Sequence, residues 1–415
     1  MHTVLEKIRS KGVIGVLRIV KRRVKNRFYR LLAWLLYHIF SLLPLQNKVV
    51  ATAFQGKKYG DNPAYIFEAI NQKNTRIKLL WMVDGKFEVP QWVKAIPYSG
   101  LLLTRYHLAT AKVIIDTHHF HAWTKKRKGQ LYIETWHGGL GIKKLELEVP
   151  EFQNSKWLKD LTAHTCRMAD VFISQSDHLS RIYRSAFHYE GLIFKCGYPK
   201  NDILVNGNTA CRELVRNYYN LDTKTRIFLY APTYRSSFFD KIDMSQFVID
   251  TDALRQVLES KFGGEWVIMC RWHPKFAEQL SQEYKKSNRG TIDSTDFQDM
   301  QKLLLGVDVV LSDYSSCIFD AALLDIPCFT FATDFDVYKA ERGVYYEMEE
   351  LPFPYSRTND ELMENIANYD HEAYLERWRA FKERMGLYEP GNASQVIADK
   401  IIEHIDTGKV LWNQE

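Results

Sequence analysis

Residues 307–320 read Val-Asp-Val-Val-Leu-Ser-Asp-Tyr-Ser-Ser-Cys-Ile-Phe-Asp, an apolar strand that runs into hydroxyls at Ser312, Ser315 and Ser316 just before a helical pattern begins. A helix start offers unpaired backbone N–H groups and the positive end of the peptide dipole, and hydroxyls can wrap phosphate oxygens without adding charge. Taken alone, the stretch fits equally a Ser315 N-cap beside an Asp313 turn. Three other strand ends weigh toward a ligand: Thr135-Trp136-His137-Gly138-Gly139, Ala231-Pro232-Thr233-Tyr234-Arg235 and Arg271-Trp272-His273-Pro274-Lys275. In open α/β sheets ligands bind beyond the carboxyl ends of the strands, so four such ends predict one shared cleft.

To either side of these ends the pattern alternates strand and helix. Strands are expected at 49–54, 78–83, 113–117, 131–135 and 171–175, then at 226–230, 266–271, 307–312 and 327–331, with helices at 101–111 and 156–169 among the connections. The turn formers of Gly197-Tyr198-Pro199-Lys200-Asn201-Asp202 interrupt the alternation and mark the connection between two halves. The expected architecture is therefore two doubly wound, Rossmann-like α/β domains facing a cleft, at 46–200 and 201–370. A basic segment at 1–45 precedes them and helices at 371–415 follow.

A chain of 415 residues with 46% hydrophobic content can bury a core of about two domains. The six cysteines show no paired CxxC spacing, which suggests buried reduced thiols rather than a metal site. There is no GxxxxGK[ST] loop, which argues against a P-loop NTPase. Two weaker metal patterns are present: Asp334-Phe335-Asp336, a pattern that occurs often by chance, and the His118, His119, His121 cluster, which has no downstream His or Cys at a matching spacing.

Net charge is +6, and nearly all of the excess sits in residues 1–30, where ten Lys or Arg face only Glu6. Leu31 to Leu43 then forms a largely apolar stretch that stops at Pro44. As a helix it rises about 20 Å, short of a bilayer core of roughly 30 Å. The long charged leader and the absence of a small-residue cleavage site disfavour a signal peptide. A cationic helix carrying Trp34, Tyr37 and Phe40 suits the interface of an anionic cytoplasmic leaflet, so peripheral membrane association is expected. A nucleic-acid-binding arm or a helix packed on the body are the alternatives.

The strand ends suggest specific chemistry. His137, between an aromatic residue and glycines that allow close backbone approach, can take a proton from an attacking hydroxyl. Arg271, His273 and Lys275 alternate onto one side of an extended strand and would repel one another unless an anion joined them, so phosphate is the natural partner. Thr233 and Arg235 would add contacts from a neighbouring strand end, and the Gly138-Gly139 turn leaves room for a ligand to approach the backbone.

Through Tyr132-Ile133-Glu134-Thr135-Trp136-His137-Gly138, Gly197 to Asp202, Ala231 to Arg235, Arg271 to Pro274, Ser312 to Ser316, Arg342-Gly343-Val344-Tyr345-Tyr346 and Glu349-Glu350-Leu351-Pro352, the sequence resembles the CDP-glycerol glycerophosphotransferases of teichoic-acid synthesis. The resemblance covers about 130–355 in consistent order. It implies a GT-B fold, attachment to the cytoplasmic face of the membrane, and transfer of an alditol phosphate from a CDP-alditol such as CDP-glycerol with release of CMP. The acceptor would be a hydroxyl of a lipid-linked saccharide or a wall or capsular polymer. No metal and no nucleic-acid partner is required. Carried over by position, His137 is the base and His273 meets the donor pyrophosphate, while Ser312, Asp313, Ser315 and Ser316, with Thr233, Arg235 and Arg271, form the donor side; the turn at Gly138 and Gly139 borders the acceptor. Two departures stand out: Gly139-Leu140-Gly141 where the family commonly has Thr-Pro after Trp-His-Gly, and Lys200 where Arg is usual. Without the extra N-terminal domain of the large polymerases, a primase or single-addition enzyme is the expectation. The rival readings are a GT-B glycosyltransferase using a nucleotide sugar and a non-catalytic glycan-binding protein of the membrane surface.

Overall fold

The near-continuous apolar runs become the inner strands of two wholly parallel sheets, as expected where helices cover both faces. The computed structural model describes residues 27–29, 31–73, 76–121, 123–233, 248–272 and 290–412. The first sheet comprises β1 (Gln46–Ala51), β2 (Lys78–Val83), β3 (Lys94–Pro97), β4 (Ala111–Asp116), β5 (Leu131–Glu134), β6 (Val171–Ser174) and β7 (Leu192–Lys195). The second comprises β8 (Arg226–Ala231), β9 (Trp266–Cys270), β10 (Thr291–Asp293), β11 (Val309–Ser312), β12 (Cys328–Phe331) and β13 (Tyr355–Ser356). Their orders are β3-β2-β1-β4-β5-β6-β7 and β10-β9-β8-β11-β12-β13. Both are doubly wound, so the winding reverses between β1 and β4 and again between β8 and β11, and those two points are where such sheets take ligands.

All nine expected strands are present, and the four that sequence patterning missed are the four sheet edges, β3, β7, β10 and β13. An inner strand such as β5 or β11 is buried at every residue. An edge strand faces water along much of its length, as β3 and β7 do. The expected helices appear as Leu103–Thr110 and Lys156–Met168, the latter started by Ser155, whose Oγ accepts from Leu158 N.

The helices expected after residue 370 are shared between the two cores. His371–Met385 buries Tyr374, Trp378 and Phe381 against the second sheet's core. Ala393–Thr407 crosses back, and its Ile397, Ala398, Ile401 and Ile405 join the first sheet's core beside Ile66, Phe67 and Ile70 of the helix Asp61–Lys73. Asp202 fixes the return by accepting from Ala393 N (2.9 Å) and Ser394 N (2.7 Å). All six cysteines are free thiols. No described helix is long and apolar enough to cross a membrane.

Residues 31–40 form the helix expected from the apolar stretch. It buries Ala33 and Tyr37 on the first domain, with the Tyr37 hydroxyl donating to Lys125 O, and exposes Leu31, Trp34, Leu35 and Ile39. The charged residues 1–26, most of the arm, lie outside the described residues.

Candidate active site

His137 is aimed by strain. Trp136, buried, takes a left-handed backbone (φ +50°), a conformation that costs a bulky residue about 1–3 kcal/mol and persists only where its surroundings fix it. Here Trp136 N donates to Glu134 Oε1 (2.9 Å), and Asn62 Nδ2 donates to the carbonyls of Thr135 (3.4 Å) and Trp136 (3.3 Å). The chain so turned presents His137 Nδ1 to Thr117 O at 2.9 Å. A carbonyl only accepts, so Nδ1 carries the proton and Nε2 keeps its lone pair. Burial depresses the His137 pKa to about 4, with Lys143 and Lys200 adding to the fall and the Thr117 bond and Glu146 opposing it. The imidazole therefore stays neutral, the form a base needs.

His118, which the sequence offered only as part of a candidate metal cluster, is the neighbour of His137. Its ring stacks on His137 with centroids 4.0 Å apart and planes 6° from parallel, and Phe54 flanks both rings. Beneath them, Asp116 Oδ1 accepts from Thr117 N (2.7 Å) and His118 N (3.2 Å). Asp116 stands in register with Glu134 on the adjoining strand, and burial drives both carboxyls well above the ordinary range. Patterning could have flagged His118, since it follows the end of β4, a strand at a winding reversal, as the ends after β8 and β11 do.

The other two histidines of that cluster go elsewhere. His119 Nε2 pairs with Glu146 Oε2 at 2.7 Å, and His121 stacks on Trp123. Asp334 accepts from the Tyr314 hydroxyl (2.8 Å) and Asp336 pairs with Arg357 at the surface (2.9 Å), so each aspartate has its own partner within the protein. Among the described residues no three metal-ligating side chains converge.

Across the cleft, Ser315 and Ser316 are part-exposed at the start of Cys317–Ala322. Ser316 Oγ lies 3.9 Å from where a Cβ on Gly138 would stand, so the serine turn and the His137 turn face each other. Ser315 Oγ accepts from Cys317 N at 3.4 Å, a cap-like contact, while Ser316 makes none with its helix. Ser312 and Asp313 lie deeper and are fully buried: Ser312 Oγ donates to Ala231 O (2.7 Å), and the Asp313 carboxylate accepts from Thr233 N (2.8 and 3.0 Å) and Tyr314 N (2.6 Å). These two brace the serine turn and the Thr233 loop. Arg271 is anchored by donating to Ser294 O (2.6 Å) and Phe297 O (2.8 Å), and it faces Lys58 of the loop after β1. The Lys58 pKa falls to about 8, chiefly through burial, with Arg271 and Lys200 contributing to the fall and Asp299 and Asp61 opposing it. Lys58 had no sequence signal beyond its place after β1. Arg235, His273 and Lys275 lie outside the described residues.

Lys200, in the turn Pro199–Asn201, joins the two sides. Its ammonium donates to Asp320 Oδ2 (2.9 Å) and to His137 O (3.4 Å), and Gln301 Nε2 also donates to Asp320 Oδ2 (3.1 Å). Burial pulls the Lys200 pKa down, but Asp320 and Asp61 outweigh it and hold the group above the ordinary lysine range. Gly139 is required by crowding, because a Cβ there would overlap the amide of buried Gln175. The chain beyond it passes into the other core at Leu140 and Ile142.

With this cleft in view, comparison with known proteins is decisive. The sequence profile of CDP-glycerol:poly(glycerophosphate) glycerophosphotransferases matches residues 35–403. The chain belongs to that family. This glycerophosphotransferase-family chain is 27% identical over 380 residues to the teichoic acid poly(glycerol phosphate) polymerase of Bacillus subtilis, covering 89% of this chain and 50% of the polymerase, so it spans about half of that relative's length. It is 28% identical over 400 residues to the teichoic acid glycerol-phosphate transferase of Staphylococcus aureus, covering 92% of this chain and all of the relative. The structure of the wall teichoic acid polymerase TagF superposes with a TM-score of 0.77 at 27% identity, over 94% of this chain and 97% of that one. A histidine variant of TagF soaked with CDPG superposes equally well. The UDP complex of S. aureus MnaA, at 13% identity and a TM-score of 0.52 over 88% and 98% of the chains, shares the fold alone, two Rossmann-like domains in a GT-B-like pair.

Proposed function

We propose that this protein transfers glycerol phosphate, or a related alditol phosphate, from a CDP-alditol to an acceptor hydroxyl. The observation that carries the reading is the His137 imidazole, neutral, with Nδ1 tied to Thr117 O and Nε2 left on the cleft opposite the serine turn. Family membership and the CDPG soak of TagF support the choice of donor. The acceptor oxygen attacks the phosphorus that bears glycerol, its proton passes to His137 Nε2, and the P–O bond to CMP breaks with the electron pair leaving on CMP. The second domain, with Ser315, Ser316, Thr233 and Arg271, would hold the CDP-alditol; Arg235 and His273 belong to the same proposed set. Lys58 and Arg271 repel each other until an anion comes between them, which suits a pyrophosphate.

The first domain, with Gly138 and Gly139 at its rim, would take the acceptor, a lipid-linked saccharide or a wall or capsular polymer. Residues 31–40 would lay Leu31, Trp34, Leu35 and Ile39 into the cytoplasmic membrane face beside that acceptor, aided by the basic arm. The test is CMP release from CDP-glycerol and from CDP-ribitol, with a membrane extract supplying acceptor. His137-dependent CMP from one donor is expected and names the alditol; CMP from neither, with intact protein, overturns the reading.

A further inference from the structure

His118 and His137 are stacked, yet their hydrogen bonding is opposite. Thr117 orients both: its carbonyl accepts from His137 Nδ1, and its hydroxyl meets His118 Nδ1 at 2.8 Å. Thr117 Oγ1 also accepts from Phe54 N at 3.1 Å, and Thr117 is fully buried. Its hydroxyl proton must therefore be placed, and among the described residues the one acceptor within reach is His118 Nδ1. His118 then carries its own proton on Nε2, while His137 carries its proton on Nδ1.

The two Nε2 atoms thus form a matched pair, one donor beside one acceptor. Neither has a partner among the described residues. Neither belongs with the sealed, unpartnered Nε2 atoms of His121 and His178. Both rings turn their Nδ1 edge to Thr117, which leaves the Nε2 edges on the cleft side.

We propose that His118 is a second catalytic imidazole, whose Nε2–H donates a hydrogen bond to a non-bridging oxygen of the phosphorus under attack while His137 Nε2 takes the proton of the attacking hydroxyl. The inference rests on the phosphotransfer reading and adds a residue to it. The stacking distance of 4.0 Å suits the task. An attacking oxygen held ~3–3.5 Å from phosphorus stands at about that distance from the equatorial oxygens too. His118 keeps its proton throughout; it stabilises charge on the transferring group, and the bonds made and broken are those given above. Burial and the His137 ring both hold His118 well below the ordinary histidine range, so it serves as a neutral donor.

Two substitutions separate this role from packing. His118→Phe keeps a ring on His137 and loses the N–H; His118→Gln loses the stack and keeps an amide N–H near the same point. With CDP-glycerol, His118→Phe is expected to lower kcat about 100-fold, the loss of one donor to developing charge. KM should stay within about threefold, the acid limb of the pH profile should be unmoved, and His118→Gln should regain at least about tenfold. If His118→Phe retains kcat within about threefold, or His118→Gln is no better than His118→Phe, the proposal is wrong.

Imidazole 15N spectra of the unsubstituted protein give a readout independent of turnover and of mutant folding, with CDP-glycerol and separately inorganic pyrophosphate as probes. His118 is expected as the Nε2–H tautomer with that nitrogen shifting on addition; an Nδ1–H tautomer, or no shift with either probe, overturns the role. If the unsubstituted protein releases no CMP, the phosphotransfer reading fails by itself, and the spectra still decide whether His118 meets phosphate.

Discussion

Replacing Lys200 by Met would strand Asp320, and the size of the loss can be worked out. Lys200 and Asp320 are side chains only 6% and 4% exposed, joined across the two domains. Removing one member of such a pair costs roughly 3–5 kcal/mol, because the other charge is left buried. Asp320 has one escape, which is to take up a proton. At pH 7 that costs about 1.36 kcal/mol for each of the ~3 units between the pH and an ordinary aspartate pKa, a ceiling of about 4 kcal/mol. At pH 5 the same uptake costs about 1.5 kcal/mol. The Lys200→Met defect should thus shrink by more than half between pH 7 and pH 5. Lys200→Met with Asp320→Asn, which leaves no charge and keeps an acceptor for Gln301, should recover most of the loss. Urea unfolding of the four proteins at both pH values measures this. A defect below about 1 kcal/mol, a defect that does not change with pH, or a double variant whose losses simply add would refute the reasoning.

The remaining predictions follow from single contacts. His137→Gln should reduce CMP release by about 100-fold or more, and in the unsubstituted protein the acid limb of kcat/KM should fall near pH 4 rather than 6.5. The same depressed pKa makes neutral His137 a source of stability that is present above about pH 6.5 and lost as the pH falls through about 4, which the pH dependence of urea unfolding reads. Gly139→Ala should cost about 1–3 kcal/mol by overpacking against Gln175 and lower the melting temperature. Asp202→Ala should cost about 1–2 kcal/mol by uncapping Ala393–Thr407, with amide exchange rising first in that helix. Leu31→Glu with Leu35→Glu should weaken sedimentation with anionic vesicles by about tenfold or more while leaving the melting temperature unchanged.

The inner strands and the polar strand ends were legible because both depend on local pattern: buried strands are mostly apolar, and their cleft-side ends finish in polar residues. The sheet edges were not, since β10 and β13 are short and half wet. Within the site, the residue types were readable but their depth was not. Ser312 and Ser315 look alike in sequence, yet one is sealed against Ala231 and the other opens on the cleft, a difference set by where β11 ends. Asp313 reads as a turn residue and in fact bolts the Thr233 loop from 80 positions away. His118 was visible as a histidine and obscure as a partner, because its stack on His137 forms only when β4 and β5 lie side by side.

The return of Ala393–Thr407 to the first core bears on how the protein is made. The first sheet is complete in the chain by Lys195, but the helix that covers Ile66, Phe67 and Ile70, Ala393–Thr407, is translated much later. At synthesis rates of about 5–20 residues per second, those apolar side chains wait roughly 10–40 s for their cover. During that interval the nascent first domain presents a greasy groove to whatever chaperones attend the ribosome, and a chain released before Ala393 could never close it.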